Sequence, residues 1–353
     1  MAVKKVRVGV AGVRWVGDQH ASALSRIRGV ELAALADINP DSLDGAKKKY
    51  GVDRGFADYN EMIKSGGLNA IAIALPTGMH ADACCRAMRA GLHVICEKPP
   101  TSNVAEMERV ARVAKETGMT YMFARQSRFN PAVLASRKAV KAGKLGRIYH
   151  GEAVWVRSRW GVLANPGWRM DRNGGGGVML DLGVHVIDEV WFCMGCPRPV
   201  EVSAGLYAGF KHFSKKPKQY TADDCAAGLV RFENSVTLRF LATFALNGMP
   251  PGSKELPDKG TPNWGRRVIY GTKAGLDTSS GTLITGGCND LSAKGLPLTS
   301  KYSGFEGQAR EFIRAVRSGS VPMSSAEQAV MLMQILEAAR RSADKGRAVR
   351  IRK

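Results

Sequence analysis

The chain has 353 residues, 44% hydrophobic and 24% charged, a globular composition with room for two domains rather than one small core. Fifty-two basic residues against 31 acidic ones give a net charge of +21, spread along the chain with clusters at 211–218 and 340–353. No apolar run has membrane-spanning length, no separate apolar segment precedes the first strand, and the seven cysteines are scattered, so membrane insertion and export are not expected and a cytoplasmic location is.

Residues 1–124 alternate strand and helix patterns. Strands are expected at 6–10, 31–36, 70–75, 93–96 and 120–123. Helices are expected at 18–27, 42–50, 59–65, 80–90 and 104–117. Short apolar strands separated by helices imply a parallel sheet covered on both faces, a doubly wound α/β domain. The pattern changes after Arg125. A helix at 131–142 precedes an alternating strand at 148–157, a glycine loop with a helix at 174–193, and strands at 200–208, 226–232, 236–245, 267–270 and 283–285. Glu233-Asn234 suggests a hairpin. Segments 210–220 and 247–263 read as loops, and 326–344 as a long helix. The fold class is therefore α/β: a Rossmann domain over 1–124 and an α/β domain over 125–353 with an open, largely antiparallel sheet.

Gly12-Val-Arg14-Trp15-Val16-Gly17 follows the first strand, where a dinucleotide fingerprint belongs. Its first and third glycines are present. Arg14 replaces the second, and either turns its side chain away or meets a phosphate itself. Asp37 closes the next strand. It either accepts hydrogen bonds from adenosine ribose hydroxyls or caps the strand end. With Ile38 after it, and no arginine to receive a 2′-phosphate, NAD is expected over NADP. Pro76-Thr77 end a later strand on the nicotinamide side, and His80 either contacts cofactor or starts a helix. Glu97-Lys98-Pro99-Pro100 close the following strand, with Lys98 read as a site residue.

Asp181 and His185, four residues apart after the glycine run 174–177, share a face if that segment is helical. A carboxylate beside a histidine fixes its tautomer and raises its basicity. The glycines let a cofactor or another backbone come close. Lys98, Asp181 and His185 thus suggest a set for moving a proton and a hydride at a hydroxyl-bearing carbon. Arg169 binds substrate or forms a structural ion pair. Trp160 and Trp168 flank Asn165-Pro166-Gly167 and either stack on a sugar or anchor a loop. Cys193 and Cys196 form a CxxC without a second ligand pair, so no metal site is expected. Without an aromatic-basic or helix-turn-helix motif, the positive charge reads as solvated surface rather than a nucleic-acid site.

These elements resemble the Gfo/Idh/MocA oxidoreductases: Gly12 to Gly17, Ala36-Asp37, Pro76 to His80, Glu97-Lys98-Pro99, Trp168-Arg169, and Gly175-Gly-Gly with Asp181, Gly183 and His185. Phe305 to Phe312 and Ser342 to Gly346 add to the likeness. The resemblance implies NAD(P), a homodimer or homotetramer, and oxidation of a sugar, polyol or related hydroxyl, neutral or acidic. It implies cofactor contacts from Gly12, Arg14, Trp15, Val16, Gly17, Asp37, Pro76, Thr77, His80, Glu97 and Lys98. Lys98, Trp168, Arg169, Asp181 and His185 would face substrate, with Lys98, Asp181 and His185 catalytic. The same parts also suit a glycosidase or lyase that recycles its NAD; a non-catalytic NAD-dependent binding protein is a further alternative, but it would keep Asp37 and lose Lys98 or His185, and both are present.

Overall fold

Val6–Ala11 forms strand β1 because its apolar side chains are buried on both faces of a sheet. The computed structural model describes residues 5–158, 161–164, 167–172, 175–248, 252–253 and 263–351. From β1 the chain runs through α1 (Trp15–Ser25), β2 (Val30–Ala36), α2 (Pro40–Tyr50), β3 (Gly55–Phe56), α3 (Tyr59–Lys64) and β4 (Ala70–Ile73). It continues through α4 (Thr77–Arg89), β5 (His93–Cys96), α5 (Val104–Thr117) and β6 (Tyr121–Phe123). These strands make a six-stranded parallel sheet in the order β3-β2-β1-β4-β5-β6. The order reverses between β1 and β4, the switch point where doubly wound folds bind ligands. Side-chain caps set several helix starts. Asn39, Asp58 and Asn103 accept from Ser42, Asn60 and Glu106 N–H groups. Helices α1 and α4 begin three residues earlier than the apolar spacing suggests, at Trp15 and Thr77.

The second unit opens with α6 (Pro131–Lys141) and β7 (Ile148–Arg157). A π-helical turn, Met179–Gly183, then leads into α7 (Val184–Cys193). Next come β8 (Pro199–Tyr207), β9 (Cys225–Phe232), β10 (Thr237–Thr243), β11 (Asn263–Gly271), β12 (Gly275–Asp277), β13 (Thr282–Gly287) and β14 (Asp290–Gly295). With β15 (Val349–Arg350) the order is β14-β13-β12-β11-β7-β10-β9-β8-β15, antiparallel except where β10 meets β7. The β9–β10 hairpin turns at Ser235, whose φ is +63°. Segment 210–220 holds two short 3-10 turns, and most of 247–263 lies outside the described residues.

The chain then forms α8 (Gly304–Ser318) and α9 (Ala326–Lys345). The compact units are Met1–Phe129 with Tyr302–Met333, and Asn130–Lys301 with Gln334–Lys353. This corrects the division into 1–124 and 125–353. Ala309, Phe312 and Ile313 of α8 join the core of Val8, Val10, Leu24 and Leu35, so the Rossmann unit is completed from the far end of the sequence. Arg128 Nη1 also donates to the Met323 carbonyl at 2.7 Å within that unit.

Phe312 is fully buried in this core. Phe312→Ala is expected to destabilise the first unit by about 3–5 kcal/mol. Amide hydrogen exchange along β1 measures it, since those amides open with the unit that α8 completes.

Candidate active site

Two glycines shape the first turn. Gly12 has φ +81°, and a Cβ there would come 2.5 Å from the Ala74 carbonyl oxygen. A Cβ on Gly17 would come 1.7 Å from the Gly12 carbonyl oxygen, so α1 lies against the turn only with glycine at that place. Arg14 sits between them as the α1 N-cap, with φ −73° and ψ −174°, ordinary extended backbone. Arginine therefore keeps the turn, and its exposed side chain borders a cavity of about 530 Å³.

That cavity is lined by Gly12, Arg14, Asp37, Ile38, Pro76 and Met79, among others. Asp37 Oδ2 accepts from Val13 N–H and Oδ1 from Asn39 N–H, both at 2.9 Å. The carboxylate therefore caps the strand end and ties β2 to the glycine turn. Each oxygen retains acceptor capacity for a hydroxyl donor. The start of α1 turns backbone N–H groups of Trp15, Val16 and Gly17 outward, the usual arrangement for a phosphate. Apolar walls, a carboxylate and a helix N-terminus suit the adenosine-pyrophosphate half of a dinucleotide.

Two of the expected cofactor residues, His80 and Glu97, have buried side chains. His80 is buried, with Nδ1 2.9 Å from the Pro99 carbonyl oxygen and Nε2 2.8 Å from that of Leu75. Burial pulls its pKa down, against the pull of those carbonyls and of Glu97. It starts no helix, since α4 begins at Thr77, and braces the ends of two strands. Glu97 is also buried. Its Oε1 lies 2.9 Å from His20 Nε2, and its Oε2 accepts from Lys98 N–H at 3.0 Å. Burial pushes the Glu97 carboxyl up, but the hydrogen bond and charge of His20 and the contacts with Lys98 outweigh it and hold it below its usual value. Glu97 thus supports the backbone of Lys98, which is half-buried at the end of β5. Nothing in the sequence marks His20 as its partner, 77 residues away.

In the second unit, Asp181 lies in the π-helical turn and His185 in the first turn of α7. Such turns recur at functional sites. Asp181 Oδ2 lies 3.2 Å from Arg169 Nε, which makes Arg169 an ion-pair partner. His185 meets the Trp155 ring edge-on, centroids 6.0 Å apart. Trp155 Nε1 donates to Asn263 Oδ1 at 3.0 Å. The glycine run is braced by the fold. Gly177 has φ +110°, and a Cβ there would come 2.3 Å from Asp223 Oδ1. Asp223 accepts from Met179 N–H through Oδ2 and from Val178 N–H through its carbonyl, both at 2.8 Å. Arg340 Nη2 donates to the Gly176 carbonyl at 2.7 Å. The close approach that glycine permits at 177 is thus that of Asp223, 46 residues on. Trp160, Asn165, Pro166 and Gly174 lie outside the described residues, as does the side chain of Trp168. Among the described residues, no group of three or more His, Cys, Asp or Glu side chains is placed to hold a metal, and no helix is long and apolar enough to cross a membrane.

Residues 6–125 match the family model described as an oxidoreductase family with an NAD-binding Rossmann fold, and residues 133–277 match the GFO/IDH/MocA C-terminal domain. The chain is 26% identical to D-glucoside 3-dehydrogenase of Escherichia coli K12, over 99% of each chain. It is 24% identical to myo-inositol 2-dehydrogenase of Thermotoga maritima, over 98% of each. The structure of levoglucosan dehydrogenase in complex with NADH and levoglucosan superposes with a TM-score of 0.85 at 21% identity, covering 99% of this chain and all of that one.

His20→Ala leaves the buried Glu97 carboxylate without its partner. The expected loss is about 3 kcal/mol at neutral pH. Because folding lowers the Glu97 pKa, that stabilisation is present above the ordinary carboxylate range and lost as pH falls through the folded value. Urea unfolding from pH 7 to pH 3 should therefore show wild type converging on His20→Ala in acid.

Proposed function

We infer the activity from one premise: this chain belongs to the Gfo/Idh/MocA family of oxidoreductases. It is an NAD(P)-dependent dehydrogenase acting on CH–OH groups of sugar-like substrates. Our reading is that it oxidises a secondary hydroxyl of a sugar, cyclitol or sugar acid, with NAD preferred. The observation that carries it is the cavity at the ends of β1, β2 and β4 with the Asp37 carboxylate in its wall. That carboxylate suits a ribose diol and repels a 2′-phosphate, and no arginine follows it.

Gly12, Arg14 and the N–H groups of Trp15, Val16 and Gly17 would hold the pyrophosphate, and Pro76 and Thr77 would border the nicotinamide half. The bound nicotinamide supplies the hydride acceptor. His185 takes the hydroxyl proton as the C–H bond breaks. Asp181 stabilises the imidazolium that results and is itself held by Arg169. Lys98 donates a hydrogen bond to the same oxygen as negative charge develops there. Lys98, Asp181 and His185 have no use in a purely non-catalytic binder. The first unit is the cofactor-binding part and the second the substrate-binding and oligomerisation part. A cytoplasmic homodimer or homotetramer is the proposed assembly, with no nucleic-acid or membrane partner.

A second route draws support from the Escherichia coli relative, whose name places its oxidation at C3 of a glucoside. Oxidation at C3 acidifies the C2–H bond, so the C2 proton and the C1 aglycone can leave together as an alcohol; water then adds across C1=C2, and the hydride returns to C3. That route would release no net NADH.

NAD is expected to bind about tenfold or more tighter than NADP. Calorimetry with both cofactors reads this, and equal affinities would count against the role given to Asp37. Asp37→Ala should narrow the preference.

Lys98→Ala, Asp181→Ala and His185→Ala should each lower kcat by about 10²–10⁴-fold with far smaller changes in cofactor Kd. Their effects should not add, because all three act on one proton and one oxygen. The pH profile of kcat should differ between wild type and His185→Ala. Full activity in His185→Ala would sink the assignment.

A further inference from the structure

Two guanidinium groups lie against one indole in the second unit. The Arg157 guanidinium carbon stands 4.9 Å from the Trp155 ring centre, and that of Arg267 stands 5.5 Å from it. The same ring meets His185. Arg267 is engaged with buried Glu189, Nε to Oε1 3.5 Å. Arg169 contacts Asp181 directly, and the charges of both bear on the Arg157 guanidinium. Burial pulls the Arg157 guanidinium below its usual value, with Asp181 opposing that pull and Arg169 adding to it.

A neutral polyol is recognised by groups that both donate and accept. Guanidinium only donates, and its planar fork matches the two oxygens of a carboxylate or phosphate. An aromatic face under Arg157 holds that fork in one orientation. Partial burial strengthens its bond to an anion. The net charge of +21 would also draw anions toward the protein.

We infer that the substrate is an anionic sugar, whose carboxylate or phosphate is received by Arg157 and Arg169 while one of its hydroxyls lies at His185. The hydroxyl part of this assignment rests on the dehydrogenase reading above; the anion part does not. Arg157 is the specificity-determining residue of the pair, because Arg169 is also the support of Asp181.

Calorimetry on the NADH complex tests it with matched pairs: D-gluconate against D-glucitol, D-galacturonate against D-galactose, and D-glucose 6-phosphate against D-glucose. At least one anion should bind about tenfold or more tighter than its neutral counterpart, and added salt should weaken that preference. Arg157→Gln should bring the ratio close to one, and Arg157→Lys, which keeps the charge, should restore part of it. The first two pairs and the third separate a carboxylate from a phosphate. The inference is overturned if no anion exceeds its neutral counterpart, or if Arg157→Gln keeps the full preference. Turnover is read separately. Neutral sugars oxidised without anion preference would remove the anion subsite and leave the dehydrogenase. Anion binding without oxidation of any compound would remove the dehydrogenase and leave the subsite.

Discussion

The close approach of Gly17 to the Gly12 carbonyl governs the first unit. That oxygen occupies the space a Cβ on residue 17 would need. Any side chain there would push α1 off the end of β1. The packing sets where the helix begins, and so where its unpaired N–H groups point. Asp37 then locks the turn through Val13 N–H while facing the same cavity. A phosphate-favouring helix end and a hydroxyl-favouring carboxylate stand side by side because one glycine contact holds the turn. Arg14 is tolerated since the middle of the turn needs no positive φ.

A different gradient organises the second unit. Along the helix-covered face of β7 stand Gly151, Ala153, Trp155 and Arg157. At Gly151 a Cβ would already touch Val190 and Met194 of the α7 segment. Two residues on from Ala153 there is room for an indole, which meets His185 near the start of α7. Side-chain size thus grows along the strand toward the N-terminus of the helix. The opposite face carries Glu152 with Arg239 and Arg266 at 2.8 and 2.9 Å, and Tyr270 donating to it at 3.0 Å. Alternation along one strand separates an aromatic, cationic face from a charge-paired one.

Buried charge is handled alike in both units. Glu97 is kept ionised by His20 and the Lys98 backbone, and in turn fixes the strand end that carries Lys98. Asp223 holds the entry to the π-helical turn that carries Asp181, though burial pushes its carboxyl up against the opposing effect of Met179 N–H and Arg340. In each case a buried carboxylate positions backbone rather than substrate, and the proposed chemistry falls to a neighbour in sequence.

The sequence alone determined the elements and much of the first site. Apolar runs and helical spacing are local, so β5, α5 and β7 are legible from composition and period. The glycine turn and Asp37 are legible because fingerprint and carboxylate sit in one βαβ unit. The tertiary structure decided what depends on partners distant in the chain. It placed α8 with the Rossmann core, since an amphipathic helix does not say which core its apolar face will join. It gave His80 and Glu97 their buried carbonyl, histidine and backbone partners, because such partners appear only when strand ends meet. It replaced a regular helix at Asp181 with a π-helical turn. It set Asp223 over Gly177 and Arg267 against Trp155, and periodicity does not encode partners that far apart in the chain.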